Sequence, residues 1–493
     1  MSVLIAALYG VAALFGAAFA FVELRMLARY LRYKSVIEAQ RVPHSLSELD
    51  ESEFPTVTIQ LPLFNERNSA DRIIRAAAAQ DYPRDRFDIQ VLDDSTDETT
   101  EIVARAVASL RDSGVRIEHI HRDNREGYKA GALAEGLERS EAAFVAVFDA
   151  DFAPEAGFLR RMLVEERAFA DDTVAFAQAR WAWGDASSEG WLPAVLALLL
   201  DRHFQIQKPV REFMKNVTTF NGSGGIWRRA AIDGAGGWAS DTLTEDLDLS
   251  YRCALAGWRG SYFKNVKVFN ELPGQMRAFK LQQRRWSKGN AQCFRKLTGR
   301  VMNAGEVVQD RWDEAFMLAG YAIHPLLLAS VLLWPWAVLL IDRRLFWVLQ
   351  GFMSLGIIAA VASFLLTLRE RGARFNLRTV THVVAGVLVG MGLMVNNTVG
   401  QIEGFLKAGG EFVRTPKLAT AGQDEALAAL GAEKAYRSPL HWTFYAEVLV
   451  MAYCVGGSVL LVQQGEGLWS VAMVFWAASF GLMLQQQLVA SEA

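Results

Sequence analysis

The sequence predicts an α/β layer fold with a mainly parallel sheet, set between membrane-spanning helices. Three observations lead there. Short apolar strands alternate with helical stretches from Val57 onward. Apolar runs of bilayer length precede and follow that region. Paired carboxylates, Asp93-Asp94 and Asp149-Ala150-Asp151, stand where predicted strands end. Ligand residues of parallel sheets gather at such carboxyl ends.

Residues 3–22 form an apolar run long enough to span a bilayer. Arg25, Arg29, Arg32 and Lys34 follow it, so the positive-inside rule puts its C-terminal end in the cytosol. A cleaved signal peptide would carry its basic residues ahead of the run. Residues 1–34 are thus read as a transmembrane helix with a cytosolic flank. Residues 35–55, acidic at Glu48, Asp50, Glu51 and Glu53, are read as a linker ending at Pro55.

The α/β domain is placed at 56–274. Its predicted strands are 57–63, 88–92, 116–120, 144–148 and 174–178, and its predicted helices 69–80, 97–112, 129–139 and 155–169. A basic amphipathic segment over 275–312 carries Gln282-Gln283-Arg284-Arg285-Trp286. Spans are expected at 315–341 and 345–366, making a two-helix unit over 313–368, and at 442–463 and 467–486, making a second over 441–493. Residues 380–395 are also apolar. If they crossed, the basic loop 403–440 (Lys407, Arg414, Lys417, Lys434, Arg437) would lie outside, against the positive-inside rule. The stretch 369–402, with its helix at 379–402, is therefore read as lying in the interface or dipping into it; one span precedes the α/β domain and four follow it, with six spans as the alternative.

Composition narrows the function. The chain has 493 residues, is 52% hydrophobic, and has a formal net charge of −3, so no global basic field points to nucleic acid. Cys253, Cys293 and Cys454 lie too far apart for a disulfide framework or a zinc site.

The carboxylates carry the chemistry. Asp149 and Asp151 follow the apolar strand Phe144–Phe148, and two strand-end carboxylates with substrate phosphates make a hard-cation site for Mg²⁺ or Mn²⁺. Such a cation neutralises a leaving diphosphate. Asp93-Asp94 offers acceptors for a nucleobase or ribose; helix capping is the structural alternative. Thr244-Glu245-Asp246 precedes a periodic helix, and a carboxylate there suits a general base or merely complements the helix dipole. Arg285 suits phosphate oxygens and the Trp286 indole a sugar face, although a basic membrane-surface helix has the same composition. Phe412–Lys417, flanked by Gly409-Gly410, reads as a loop able to cover the nucleotide.

As an ordered set, D,D / DxD / TED / QxxRW resembles the family 2 inverting glycosyltransferases of the cellulose synthase superfamily, over about residues 55–300. Phrases such as Leu61-Pro62-Leu63-Phe64-Asn65-Glu66, the run Asp123–Leu133 and Phe220-Asn221-Gly222 are similar in wording to the plant cellulose-synthase-like A/C mannan and glucan synthases. Phe412–Lys417 resembles the family's gating loop, with Arg414 where the pattern has Val.

The resemblance implies a GT-A (Rossmann-like) cytosolic domain beside a helical membrane bundle. It implies that Asp93, Asp94, Lys129, Asp149, Gln282, Arg285, Thr415 and Lys417 bind the nucleotide sugar. Asp149 and Asp151 would hold the metal, Asp246 with Glu245 the catalytic position, and Trp286, Phe220, Asn221 and Gly222 the acceptor. The expected activity is processive polymerisation of a β-glucan or β-mannan from UDP-glucose or GDP-mannose, with translocation across a plasma or bacterial inner membrane. The alternative is transfer of a single sugar to a membrane lipid. No C-terminal cyclic-di-GMP-binding domain is expected, and the sequence leaves monomer and homo-oligomer equally open.

Overall fold

The computed structural model describes residues 1–39, 50–184, 190–410 and 440–489. Its centre is an eight-stranded mixed sheet ordered β3-β2-β1-β4-β7-β6-β8-β5. The strands are β1 (Val57–Leu63), β2 (Phe87–Asp93), β3 (Ile117–His121), β4 (Phe144–Val147), β5 (Phe152–Ala153), β6 (Val174–Ala182), β7 (Gly225–Arg228) and β8 (Arg259–Asn270). The half β3-β2-β1-β4 is parallel throughout. Its strands read as nearly continuous apolar runs because helices cover both faces: Val57, Ile59, Leu61, Val145, Ala146 and Val147 are all fully buried. Each large aliphatic side chain so buried contributes about 1.5–3 kcal/mol.

The sheet is less parallel than expected. β7 runs antiparallel to both β4 and β6, and β5 antiparallel to β8. Strands β5, β7 and β8 are not among the predicted ones. β7 is four residues long, and β8 interleaves Lys264, Asn265 and Lys267 with its apolar positions, so neither shows clean alternation. The helix expected over 155–169 shrinks to Phe158–Arg160 and a π turn at Arg161–Glu165.

Helix α1 (Ser2–Ala39) overruns the apolar stretch and extends into the segment read as linker. Its basic end is docked: Arg25 and Arg29 pair with Asp313, and Lys34 Nζ lies 2.7 Å from a Glu370 carboxylate oxygen. Helices α2 (Ala70–Ala78), α3 (Thr99–Asp112) and α4 (Tyr128–Glu138) flank the parallel strands. Helix α5 (Trp191–Arg202) leads into a π turn at His203–Gln207. Helix α6 (Glu245–Leu255) carries three acids in its first turn, and α7 (Met276–Met302) carries the Gln-Gln-Arg-Arg-Trp run.

The apolar helices follow: α8 (Ile323–Leu340), α9 (Arg343–Glu370), α10 (Leu377–Gly392), α11 (Met394–Leu406), α12 (Thr443–Gln463) and α13 (Gly467–Val489). Among the described residues five helices are long and apolar enough to cross a membrane: Ser2–Ala39, Gly320–Leu340, Arg343–Glu370, Thr443–Gln463 and Gly467–Leu488. The stretch read as one interfacial helix is two, α10 and α11, bent by 41° where they meet. The bend has a cause. α11 turns to lie on α7, where the Asn396 amide donates to Lys280 O at 2.9 Å, Ser287 Oγ donates to Asn397 O at 2.7 Å and Gln401 Nε2 donates to Ser287 O at 2.6 Å.

Candidate active site

The turns after β1, β2 and β4 and the start of α6 converge on one cavity of about 840 Å³. Its wall includes Asp94, Lys129, Asp149, Asp151, Phe220, Asn221, Gly222, Glu245, Asp246, Gln282, Arg285 and Trp286. Asp94 and Trp286, 192 positions apart in sequence, thus share one space. Thr415 and Lys417, with the rest of the Phe412–Lys417 loop, lie outside the described residues.

Two strand-end acids behave differently. Asp94 faces the cavity and takes a bidentate pair from Arg122, at 2.7 and 2.6 Å. Asp93 is fully buried behind the wall, and its Oδ2 meets His119 Nε2 at 2.9 Å and His121 Nδ1 at 3.3 Å. Burial alone would raise its pKa, but hydrogen bonds from His119 and Ser95 hold it down at about 2. The three groups Asp93, His119 and His121 lie close enough to share an ion.

Asp149 and Asp151 flank the tip of β4. Ser223 Oγ fixes the turn by accepting from the Asp149 amide at 2.9 Å. Lys129 stands in the middle of the acids: its Nζ is 2.6 Å from Asp149 and 3.5 Å from Glu245, and it donates to Gly222 O at 2.9 Å. Burial disfavours its charge, yet Asp149 and Glu245 hold its pKa above the ordinary lysine value. Two oxygen ligands at a strand tip, in a field that already attracts an ammonium, fit a divalent cation with a diphosphate.

The three acids of α6 divide their work. Asp248 is buried and paired with Arg252 at 2.7 Å and Lys296 at 2.8 Å. Glu245 and Asp246 line the cavity. Burial, and then the neighbouring Glu245 charge, push Asp246 up to about 7, against the pull of Lys129 and the helix N-terminal amides. Gly222 makes room for it. This residue has φ of +79°, and a side chain there would sit 3.4 Å from Asp246 Oδ2.

Along α7, Gln282, Arg285 and Trp286 face the cavity. Burial lowers the Arg285 pKa against the attraction of Glu245, Asp149 and Asp246, so a guanidinium is kept near the acids. Arg284 points the other way, to Glu403 on α11 and His441.

Sequence reasoning did not single out Phe64, Arg125, His203, Tyr321 or His324, all on the cavity wall. Arg125 stacks on the Phe64 ring at 3.3 Å from its centroid, and it and Tyr128 take positive φ values of 46° and 52°. Non-glycine strain of this kind gathers at ligand sites. The run Asp123–Leu133 had held the signal in its wording. The lone histidines had none.

The cavity does not stop at the sheet. It is also walled by Gly16, Phe19 and Ala20 of α1, Gly356 and Ala360 of α9, and Gly390 of α10.

Comparison with known proteins agrees with this geometry. Residues 55–289 match the family described as Glycosyltransferase like family 2. A glucomannan 4-beta-mannosyltransferase of Arabidopsis thaliana is 42% identical over 282 residues, 56% of this chain and 52% of that protein. One from Oryza sativa subsp. japonica is 37% identical over 312 residues, covering 62% and 58%. The chain thus spans about half the length of the curated relatives it matches. Among solved structures, the mannosyltransferase PcManGT from Pyrobaculum calidifontis, determined with GDP-Man and Mn²⁺, aligns with a TM-score of 0.50 and 18% identity, over 78% of this chain and 99% of that one. That likeness establishes the GT-A-type fold. Residues 55–289 thus form a family 2 glycosyltransferase domain, similar over that stretch to the cellulose-synthase-like plant glucomannan 4-beta-mannosyltransferases.

Proposed function

We propose that the protein is a membrane-embedded, processive, inverting hexosyltransferase that builds a β-linked polysaccharide from a nucleotide sugar and passes it out through its own helices. The relatives' names favour a β-1,4-mannan backbone and a nucleotide-activated mannose. The observation that carries this reading is the single cavity: the acids of the sheet and the small residues of α1, α9 and α10 wall the same space.

The chemistry follows from the placement. An acceptor hydroxyl, held against the Trp286 indole, gives its proton to the Asp246 carboxylate. Its oxygen attacks the donor's anomeric carbon from the face opposite the nucleotide. The new C–O bond forms as the bond to phosphate breaks, and the electron pair leaves with the diphosphate, so configuration inverts. A pKa near 7 suits Asp246 to this task, because it is basic enough to accept a proton yet ionised near neutral pH. Arg285 and Gln282 face the departing diphosphate, and a buried guanidinium stabilises that charge more than an exposed one. Asp149 and Asp151 would hold a divalent cation, which supplies Lewis-acid neutralisation of the diphosphate when bound. Lys129, already 2.6 Å from Asp149, orients that carboxylate.

The catalytic side is read as cytosolic, in a plasma or bacterial inner membrane, because Arg25, Arg29 and Lys34 follow the first span. The test is a donor screen on the purified protein, GDP-mannose against UDP-glucose, with linkage analysis of the product. A β-1,4-linked hexose product is expected. An α-linked product, or transfer from neither donor, contradicts the proposal.

A further inference from the structure

Strand β3 lies at the edge of the sheet and ends in His119-Ile120-His121. Residues two apart on a strand point to the same face, so both imidazoles leave β3 together. β2 runs parallel to β3, and in their register Asp93 is the partner of His121. Two adjacent strand ends thus bring three side chains to one point. Asp93 Oδ2 is 2.9 Å from His119 Nε2 and 3.3 Å from His121 Nδ1, and the three atoms all fall within 4.8 Å of one another. Ligand atoms around a tetrahedral Zn²⁺ stand about 3.3 Å apart, given bonds of about 2.0–2.1 Å. The carboxylate already keeps close to that spacing from both rings.

The surrounding groups aim these atoms. The Ser95 amide donates to Asp93 Oδ1 at 2.9 Å, which fixes the carboxylate and leaves Oδ2 to the histidines. His121 is approached from its other side as well: its Nε2 is 3.4 Å from Asp123 Oδ1. The ring therefore stands between two carboxylates. In either neutral tautomer, one of its nitrogens turns a lone pair toward a carboxylate oxygen. A cation at the shared point removes that conflict. The proton then sits on Nε2, toward Asp123, and the Nδ1 lone pair becomes a ligand. A metal-bound imidazole whose second nitrogen meets a carboxylate is the common outer arrangement of zinc sites.

The donor set selects the ion. Two imidazoles and one carboxylate suit Zn²⁺, whereas Mg²⁺ prefers oxygen alone. Asp93 is fully buried, but the cluster opens at the sheet edge, where the His121 side chain is 35% exposed and Asp123 fully so. None of the three ligands is among the described residues that wall the cavity, so the cluster is separate from Asp149 and Asp151.

We infer that Asp93, His119 and His121 form a second metal site, for Zn²⁺, with water on its open side and Asp123 steadying His121. The ion pins the ends of β2 and β3. The next residue on each strand, Asp94 and Arg122, makes the bidentate pair at the cavity, so the metal sets that pair through one residue of backbone on either side. The site involves none of the reacting groups of the proposed function and stands apart from it.

The test is metal analysis of the purified full chain in detergent. The protein is stripped with 1,10-phenanthroline, given Zn²⁺ with Mg²⁺ in large excess, and freed of loose metal by gel filtration. About one Zn²⁺ per chain is expected in the wild type and in Asp149→Asn. His119→Gln and His121→Gln should lose it. Asp123→Asn, a change at an exposed side chain, should weaken Zn²⁺ binding about 10–100-fold. Co²⁺ in place of Zn²⁺ should give the visible absorption of a tetrahedral site. A wild type that retains no Zn²⁺ overturns the inference and leaves His121 as an imidazolium between two carboxylates, a result that needs no variant to fold. Zn²⁺ that survives His121→Gln overturns it too. So does Zn²⁺ that is lost with Asp149→Asn, because the ion then belongs to the cavity acids.

Discussion

Asp246 sits where two opposing effects meet. A carboxylate in the first turn of a helix is stabilised by the dipole, yet burial and Glu245 outweigh that and bring its pKa to about 7. A base must be ionised to act, so kcat/KM should rise with pH through about 7 and fall on acidification, with the acid limb belonging to the Glu245/Asp246 pair. A flat profile from pH 6 to 8 would relocate the base. Asp246→Asn should lower kcat by about 10²–10⁴-fold while nucleotide binding persists, measured by turnover and by nucleotide titration. Removal of divalent cations should abolish transfer, and Mg²⁺ or Mn²⁺ should restore it, if Asp149 and Asp151 hold the diphosphate through an ion. Much of this was legible from residue order. Asp149 and Asp151 followed a strand apolar enough to be recognised, and Asp246 preceded a periodic helix. His203 and His324 were not legible, because a single histidine in an apolar stretch has no spacing to read. Their partners lie 18 and 73 residues away and meet them only in the folded chain.

Helix α7 joins the acid-lined cavity to the long apolar helices. One face offers Gln282, Arg285 and Trp286 to the cavity, and the opposite side carries α11. Gly400 and Gly404 allow that approach: a side chain at Gly400 would come within 2.8 Å of Arg284 O, and one at Gly404 would meet Lys288 O. Farther along, Lys280 Nζ is buried between Glu447 Oε2 at 2.7 Å and Gln487 Oε1 at 2.8 Å, which fixes α7 to α12 and α13. Replacing one partner leaves the other charge buried, so Lys280→Met should cost about 3–5 kcal/mol, and the double change with Glu447→Met should recover most of it. Thermal unfolding of the detergent-solubilised protein measures both. At this scale hydropathy found the apolar helices but not the bend between α10 and α11. The bend depends on Asn396, Asn397 and Gln401 meeting the α7 backbone, a contact that no window over 379–402 contains. β8 escaped because Lys264, Asn265 and Lys267 interrupt its apolar positions, so its sequence looks like a loop.

In the whole molecule, the sheet that carries the strand-end acids shares its cavity with helices of membrane length. The small residues Gly356 and Gly390 keep the helix end of that cavity wide. Gly390→Trp should narrow it and shorten the product while the first transfer continues, seen as a downward shift of labelled product on a sizing column. In the proposed reaction one cavity both makes and receives the growing chain. The most direct measurement is the length of radiolabelled product made from a single donor by the purified protein in sealed vesicles. A long polymer is expected, degraded by a β-specific endoglycanase and resistant to extraction into organic solvent. A product of one sugar on an extractable lipid would contradict it.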